Sequence, residues 1–173
     1  MRTTLSRRPD VDFAAVCEEN LDGVFGYLHY LTGNRTVAED LTSETFERAL
    51  RRLKRFDPRR GTARTWLLTL ARSTALDHFR SEHRRSRREG TYALLETEVG
   101  EGDVFGHGFA PALEAALRTL SAGEREVVAL RVLLDLDGET AARLLGITPT
   151  ACSTRLHRAL QKLEEKVRDD VRA

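Results

Sequence analysis

The side chains best placed to act on a partner are arginines, and they are unevenly spread. Residues 51–88 hold 13 basic and 3 acidic side chains, although the whole 173-residue chain has a net charge of only +1. Arg59, Arg60 and Arg64 cluster around Asp57-Pro58-Arg59-Arg60-Gly61, a turn sequence. Arg72, Arg80, Arg84 and Arg85 continue along the helix expected next. Such a row can hold the phosphates of a separated nucleic-acid strand, and loop backbone beside it can receive an unstacked base. It can equally be a solvated basic face. Only Lys54, Lys162 and Lys166 are lysines. Arginine dominance suits phosphate and base recognition, and it also fits a GC-rich genome.

A second constellation lies in residues 136–160, LDGETAARLLGITPTACSTRLHRAL. Leu136, Ala141, Leu144 and Leu145 supply the apolar face of a short helix. Gly146 can turn the chain at positive φ. Thr148 can cap the following helix, and Pro149 suits its first position. That second helix is expected to bury Cys152, Leu156, Leu160 and Leu163. Its other face carries Thr150, Ser153, Thr154, Arg155, His157, Arg158 and Gln161, side chains suited to phosphates and base edges in a major groove. The pattern is a helix-turn-helix, although a plain helical hairpin with a solvated polar face has the same periodicity.

The elements that must position these groups are helical throughout. Phe13, Val16, Cys17, Leu21, Val24, Leu28 and Leu31 recur near helical spacing, and Gly33-Asn34 breaks the run. Thr36 to Glu39 reads as a capping box for a helix that buries Leu41, Thr45, Ala49 and Leu53, with Phe46 and Leu50 beside them. That helix shows Glu39, Asp40, Ser43, Glu44 and Glu47 to solvent. Thr62 opens a third helix with Ala63, Trp66, Leu67, Leu70, Ala71, Thr74 and Phe79 inward. Trp66 has apolar neighbours at helical spacing and reads as core rather than as a stacking platform. Residues 89–115 carry six acidic and no basic side chains, and 89–111 lack periodicity and hold five glycines, as a flexible acidic linker does. Ser121 to Glu124 is a second capping box. The chain therefore reads as two small all-α domains, 10–88 and 112–173, joined by the linker 89–111, with residues 1–9 disordered.

Composition excludes several classes of function. At 40% apolar and 32% charged residues this is an ordinary globular composition, without the apolar run of roughly 20 residues that spans a bilayer. The start, MRTTLSRRPD, has no apolar core of a signal peptide. Two distant cysteines, Cys17 and Cys152, suggest a reducing cytoplasm and no disulfide framework. The five histidines are scattered, with no metal, nucleophile or P-loop motif. No enzyme activity, cofactor or metal is expected.

Three blocks in order carry a resemblance: AEDLTSETFERAL (38–50), RFDPRRGTARTWLLTLARSTALDHFRSEHRR (55–85) and LRTLSAGEREVVALRVLLDLDGETAARLLGITPTACSTRLHRALQKL (117–163). Together they resemble an extracytoplasmic-function (ECF) sigma factor, the small two-domain branch of the bacterial RNA polymerase sigma superfamily. The resemblance implies core RNA polymerase as partner, with the β′ coiled coil and the β flap as its expected contacts, and docking on the β′ coiled coil through Glu39, Asp40, Leu41, Glu44, Thr45, Phe46 and Glu47. It implies recognition and melting of a promoter minus-ten element by Arg59, Arg60, Arg64, Arg72, Arg80, Arg84 and Arg85. Thr150, Ser153, Thr154, Arg155, His157 and Arg158 are then the groups for the minus-thirty-five duplex. It also implies an anti-sigma factor as partner, and a linker lying in a basic channel of polymerase.

The chain departs from the family at Thr140 and Ala141, where Glu and Ile are usual, at Thr42-Ser43, where Val-Gln is frequent, and at Ser73, where Asn is frequent. Thr140 removes a carboxylate near the DNA-facing hairpin. Two rivals remain at this level: a polymerase-independent helix-turn-helix regulator, and an interaction module that binds polymerase without reading DNA.

Overall fold

The computed structural model describes residues 12–88 and 111–172, all of whose regular elements are helical. The tail 1–9 and nearly all of the expected linker 89–111 lie outside the described residues. Pro111 already belongs to a helix.

The first unit is three helices: α1 (Phe13–Thr32), α2 (Arg35–Arg52) and α3 (Ala63–Arg88). Asp12 caps α1 by accepting from the Ala14 and Ala15 amides. Gly33, at φ 63°, ends it in the left-handed region that glycine tolerates best. That turn leaves Asn34 extended, and its side chain accepts from the Val37 amide at 3.1 Å. The expected box from Thr36 to Glu39 therefore does not form; the helix starts two residues earlier, and Glu39 accepts from Arg35 instead. The buried stripes of the three helices meet: Val24, Tyr27, Leu28 and Leu31 from α1, Ala38, Leu41, Thr45 and Ala49 from α2, Leu67, Leu68, Ala71 and Ala75 from α3. Leu21 was expected in this stripe but is 48% exposed. Asn20 occupies the inward position, donating to the Val16 carbonyl at 2.8 Å.

A 3₁₀ turn (Leu53–Arg55) and the loop 56–62 connect α2 to α3. The Thr62 hydroxyl accepts from the Thr65 amide at 3.1 Å, so Thr62 opens α3 as its sequence predicts.

The second unit holds α4 (Pro111–Arg118), α5 (Ala122–Val128), α6 (Gly138–Leu145) and α7 (Pro149–Arg172). The Ser121–Glu124 capping box is present in both directions. A π-helical turn (Ala129–Leu133) extends α5 and leads to Asp137, which caps α6. Gly146, at φ 68°, makes the tight turn of the helix-turn-helix, and the Thr148 hydroxyl accepts from the Ala151 amide at 3.1 Å. Leu136, Ala141, Leu144, Leu145 and Cys152 are all buried. Along α7 the inward stripe is Cys152, Leu156, Ala159 and Leu163. Leu160, expected inside, sits one step round the helix and is 44% exposed. Cys17 is only half-buried, so of the two cysteines Cys152 alone is a core residue.

The two units are more than tethered. Leu134 packs over α1 beside Gly23, where a Cβ would sit in ordinary contact, 3.8 Å from Leu134 Cδ2. The faces of α1 and α3 thus meet α5, the π turn and α6.

Candidate nucleic-acid interface

The outer face of α2 comes first in chain order. Glu39, Asp40 and Glu47 are exposed, and Glu44 and Phe46 are half-buried. Leu41 and Thr45 are inside, at 5% and 0% exposure, and the Thr45 hydroxyl is spent on the Leu41 carbonyl at 2.7 Å. They shape the face rather than form it. Leu50, 58% exposed, stands one turn beyond Phe46 and gives the face an apolar spot. The acidic groups pair within the helix: Arg35–Glu39 at 2.9 Å, Arg48–Glu44 at 2.6 Å and Arg51–Glu47 at 2.5 Å. Exposed pairs of this kind contribute about 0–1 kcal/mol each, so a basic partner can displace them. Arg48 also reaches Asp77 at 3.1 Å and ties α2 to α3.

The loop 56–62 forms the wall of a pocket of about 320 Å³. Phe56 and Trp66 form its aromatic side, their rings 4.9 Å apart and tilted by 34°. Arg55, Arg60, Thr62, Thr65 and Thr69 add donors and hydroxyls. Trp66 is therefore part core and part pocket wall. Asp57 holds the loop by accepting from the Arg59 amide at 3.1 Å, and Arg59 and Arg60 are left exposed at its tip. Gly61 ends the loop at φ 156°.

The structure divides the seven expected minus-ten arginines. Arg59, Arg60, Arg84 and Arg85 are exposed, and Arg80 lies 3.6 Å from Asp77. Arg64, which stays exposed, and Arg72, which is half-buried, are turned to the second unit. Arg64 Nη2 donates to the Leu134 carbonyl at 2.7 Å. Arg72 donates through Nε and Nη2 to the two carboxylate oxygens of Glu126, at 3.0 and 3.2 Å. The expected row is thus interrupted where α5 and the π turn lie over it.

On α7, Thr150, Ser153, Thr154, His157 and Arg158 are exposed on one face. The Thr154 hydroxyl donates to the Thr150 carbonyl at 2.9 Å. Arg155 is half-buried and lies against Gly123 of α5. Thr140, where the family usually has Glu, is buried and accepts from Arg143 at 2.7 Å. No cluster of His, Cys, Asp or Glu that could hold a metal occurs among the described residues.

Comparison with known proteins matches these two units separately. Residues 16–85 match Sigma-70 region 2, and residues 111–163 match Sigma-70, region 4. The ECF RNA polymerase sigma factor SigC of Mycobacterium tuberculosis is 37% identical over 128 residues, 73% of this chain and 68% of that protein. The chain belongs to the ECF sigma factors. The ECF factor BldN of Streptomyces coelicolor is 36% identical over 163 residues, covering 92% of this chain, and the match spans 62% of BldN's own length. The fold is that of the sigma factor RpoE of Bartonella quintana, solved in complex with the anti-sigma factor NepR: TM-score 0.77 at 23% identity, over 91% of this chain and 97% of that one. CnrH, solved with the cytosolic domain of CnrY, gives 0.65 at 23% identity, over 91% and 88%. Membership of this family does not favour the polymerase-independent regulator.

In this ECF factor, sequence reasoning overlooked Glu126 and Leu134, which engage two of the predicted DNA arginines from 54 and 70 positions away. Nothing in a local pattern signals such pairs. Phe56 was overlooked too, although an aromatic beside a basic turn is a signal for a base-sized pocket.

Proposed function

We propose that this chain is a dissociable promoter-specificity subunit, acting in the cytoplasm with no catalytic group of its own. The α2 face of Glu39, Asp40, Glu44, Phe46, Glu47 and Leu50 docks on the β′ coiled coil of core RNA polymerase, with Leu41 and Thr45 holding the face in shape. The second domain sits near the β flap and presents α7 to the minus-thirty-five duplex. There Arg158, Ser153, Thr154, His157 and Thr150 meet phosphates and base edges, and Arg155 supports them from the side.

The pocket walled by Phe56 and Trp66 receives a base unstacked from the minus-ten strand. Arg59 and Arg60 at its mouth neutralise flanking phosphates, and the arginines of α3 hold the strand beyond. The single observation that carries this reading is that pocket: an aromatic wall, threonine hydroxyls and two exposed arginines in one loop suit a flipped base and its backbone. Described residues offer few other exposed aromatics, so melting proceeds by capture of one or two bases rather than along a wide stacking wall.

An anti-sigma factor controls availability, as the complex of RpoE with the anti-sigma factor NepR suggests by analogy. The test is footprinting of the purified chain with core polymerase on genomic fragments. Protected sites with two elements, the downstream one reactive to permanganate, are expected. Protection by the chain without core polymerase would contradict the reading.

A further inference from the structure

We propose that the cavity walled by Leu31 of α1, Ala75, Leu76 and Phe79 of α3, and Ala122 and Arg125 of α5 is a binding site for a small carboxylate with an apolar body. None of these residues belongs to the α2 face, the Phe56–Trp66 pocket or the outer face of α7, so the site is separate from the surfaces assigned to polymerase and promoter. Its volume is about 320 Å³. That lies at the lower end of the range for small-molecule sites and is room for about ten waters. The walls are mostly hydrocarbon, which water fills poorly and an aromatic ring or a short alkyl chain fills well.

One polar group sets the chemistry of the occupant. Arg125 is 4% exposed, and its Nη1 has no hydrogen-bond partner among the described residues. Other arginines of the packed helices are matched: Arg72 meets both carboxylate oxygens of Glu126, and Arg48 meets Glu44 and Asp77. Arg125 lies instead beside the phenol of Tyr30, and burial holds its guanidinium below its ordinary pKa. A buried donor left open is costly, and a buried cation without a counter-charge is more so. A carboxylate supplies both the acceptor and the charge. The other ionisable groups on the cavity leave room for it. Glu126 is already engaged by Arg72. Glu82 and His83 are exposed and stand in water at the mouth, where their charges are screened. The carboxylate of the ligand therefore lies inward on Arg125, and its apolar body packs against Leu31, Leu76 and Phe79.

The test uses the full chain with phenylbutyrate as the probe and its primary amide as the uncharged counterpart, both followed by isothermal titration calorimetry. One saturable site per chain is expected for the acid, with the amide weaker by about tenfold or more. Arg125→Met removes the charge and keeps an apolar side chain. It is expected to weaken the acid by about tenfold or more and to erase the preference for acid over amide. Leu76→Trp keeps Arg125 and fills the cavity. It is expected to abolish binding of both compounds while the melting temperature is held or raised, which keeps the test decisive should Arg125→Met disturb folding. Absence of saturable acid binding below about 1 mM overturns the proposal. So does equal affinity for acid and amide, or full acid affinity in either variant.

Discussion

Gly123 provides the space in which the Arg155 guanidinium lies: a Cβ at 123 would stand 3.1 Å from Arg155 Nη1. The arginine is therefore shared between α7's outer face and the packing of α5 on α7. Arg158, one helical step away, is exposed and has no such duty. The two should separate in experiment. Arg158→Ala is expected to weaken minus-thirty-five binding by about 1–3 kcal/mol with an unchanged melting temperature. Arg155→Ala is expected to lower both. Fluorescence anisotropy on a promoter duplex beside thermal melting checks this.

On α2 the same logic divides shape from contact. Leu41→Ala removes a buried side chain and is expected to cost about 2–5 kcal/mol of stability, read as a lower urea midpoint. Asp40→Ala with Glu47→Ala leaves the midpoint within about 0.5 kcal/mol and lowers affinity for core polymerase. Biolayer interferometry with immobilised core enzyme measures the second effect.

At the turn of the helix-turn-helix, Gly146 sits at φ 68°. Gly146→Ala places a Cβ in the left-handed region and is expected to cost about 1–2 kcal/mol. For a chain of this size that is a fall of roughly 2–8 °C in melting temperature, measurable by calorimetry.

Much of this was legible in the sequence, and the reason is locality. Gly146, Thr148, Pro149 and the Ser121–Glu124 pair act within four residues of themselves, so their chemistry shows in the order of the letters. The start of α2 shows where locality runs out. Both Asn34 and Thr36 are cap residues, and only the left-handed turn at Gly33 decides for Asn34. In α7, Ala159 is inside and Leu160 is not, because neighbouring helices choose between adjacent stripes. The arginines were assigned by type alone. That Arg64 and Arg72 face the second domain depends on a packing between residues far apart in the chain, which no periodicity records.

Glu124 gives a pH prediction. Burial pushes its carboxyl up, but hydrogen bonds from Lys162 and from the Ser121 amide and hydroxyl outweigh this and hold it below its ordinary value of 4.5. A carboxylate lowered in the folded state stabilises the fold above its unfolded pKa, and the contribution is lost as pH falls through the folded one. The urea midpoint is therefore expected to be independent of Glu124 titration near pH 7 and to fall below about pH 4.5. Glu124→Gln should be less stable at pH 7 and should show a shallower decline in acid.

We propose above all that this chain gives core RNA polymerase a promoter choice. Run-off transcription on a library of promoter fragments, with purified core polymerase and with or without the chain, tests it most directly. Transcripts from a defined subset of fragments, appearing only when the chain is added and lost with Arg59→Ala plus Arg60→Ala, are the predicted result. Binding to core without any added initiation, or no binding to core at all, would contradict it.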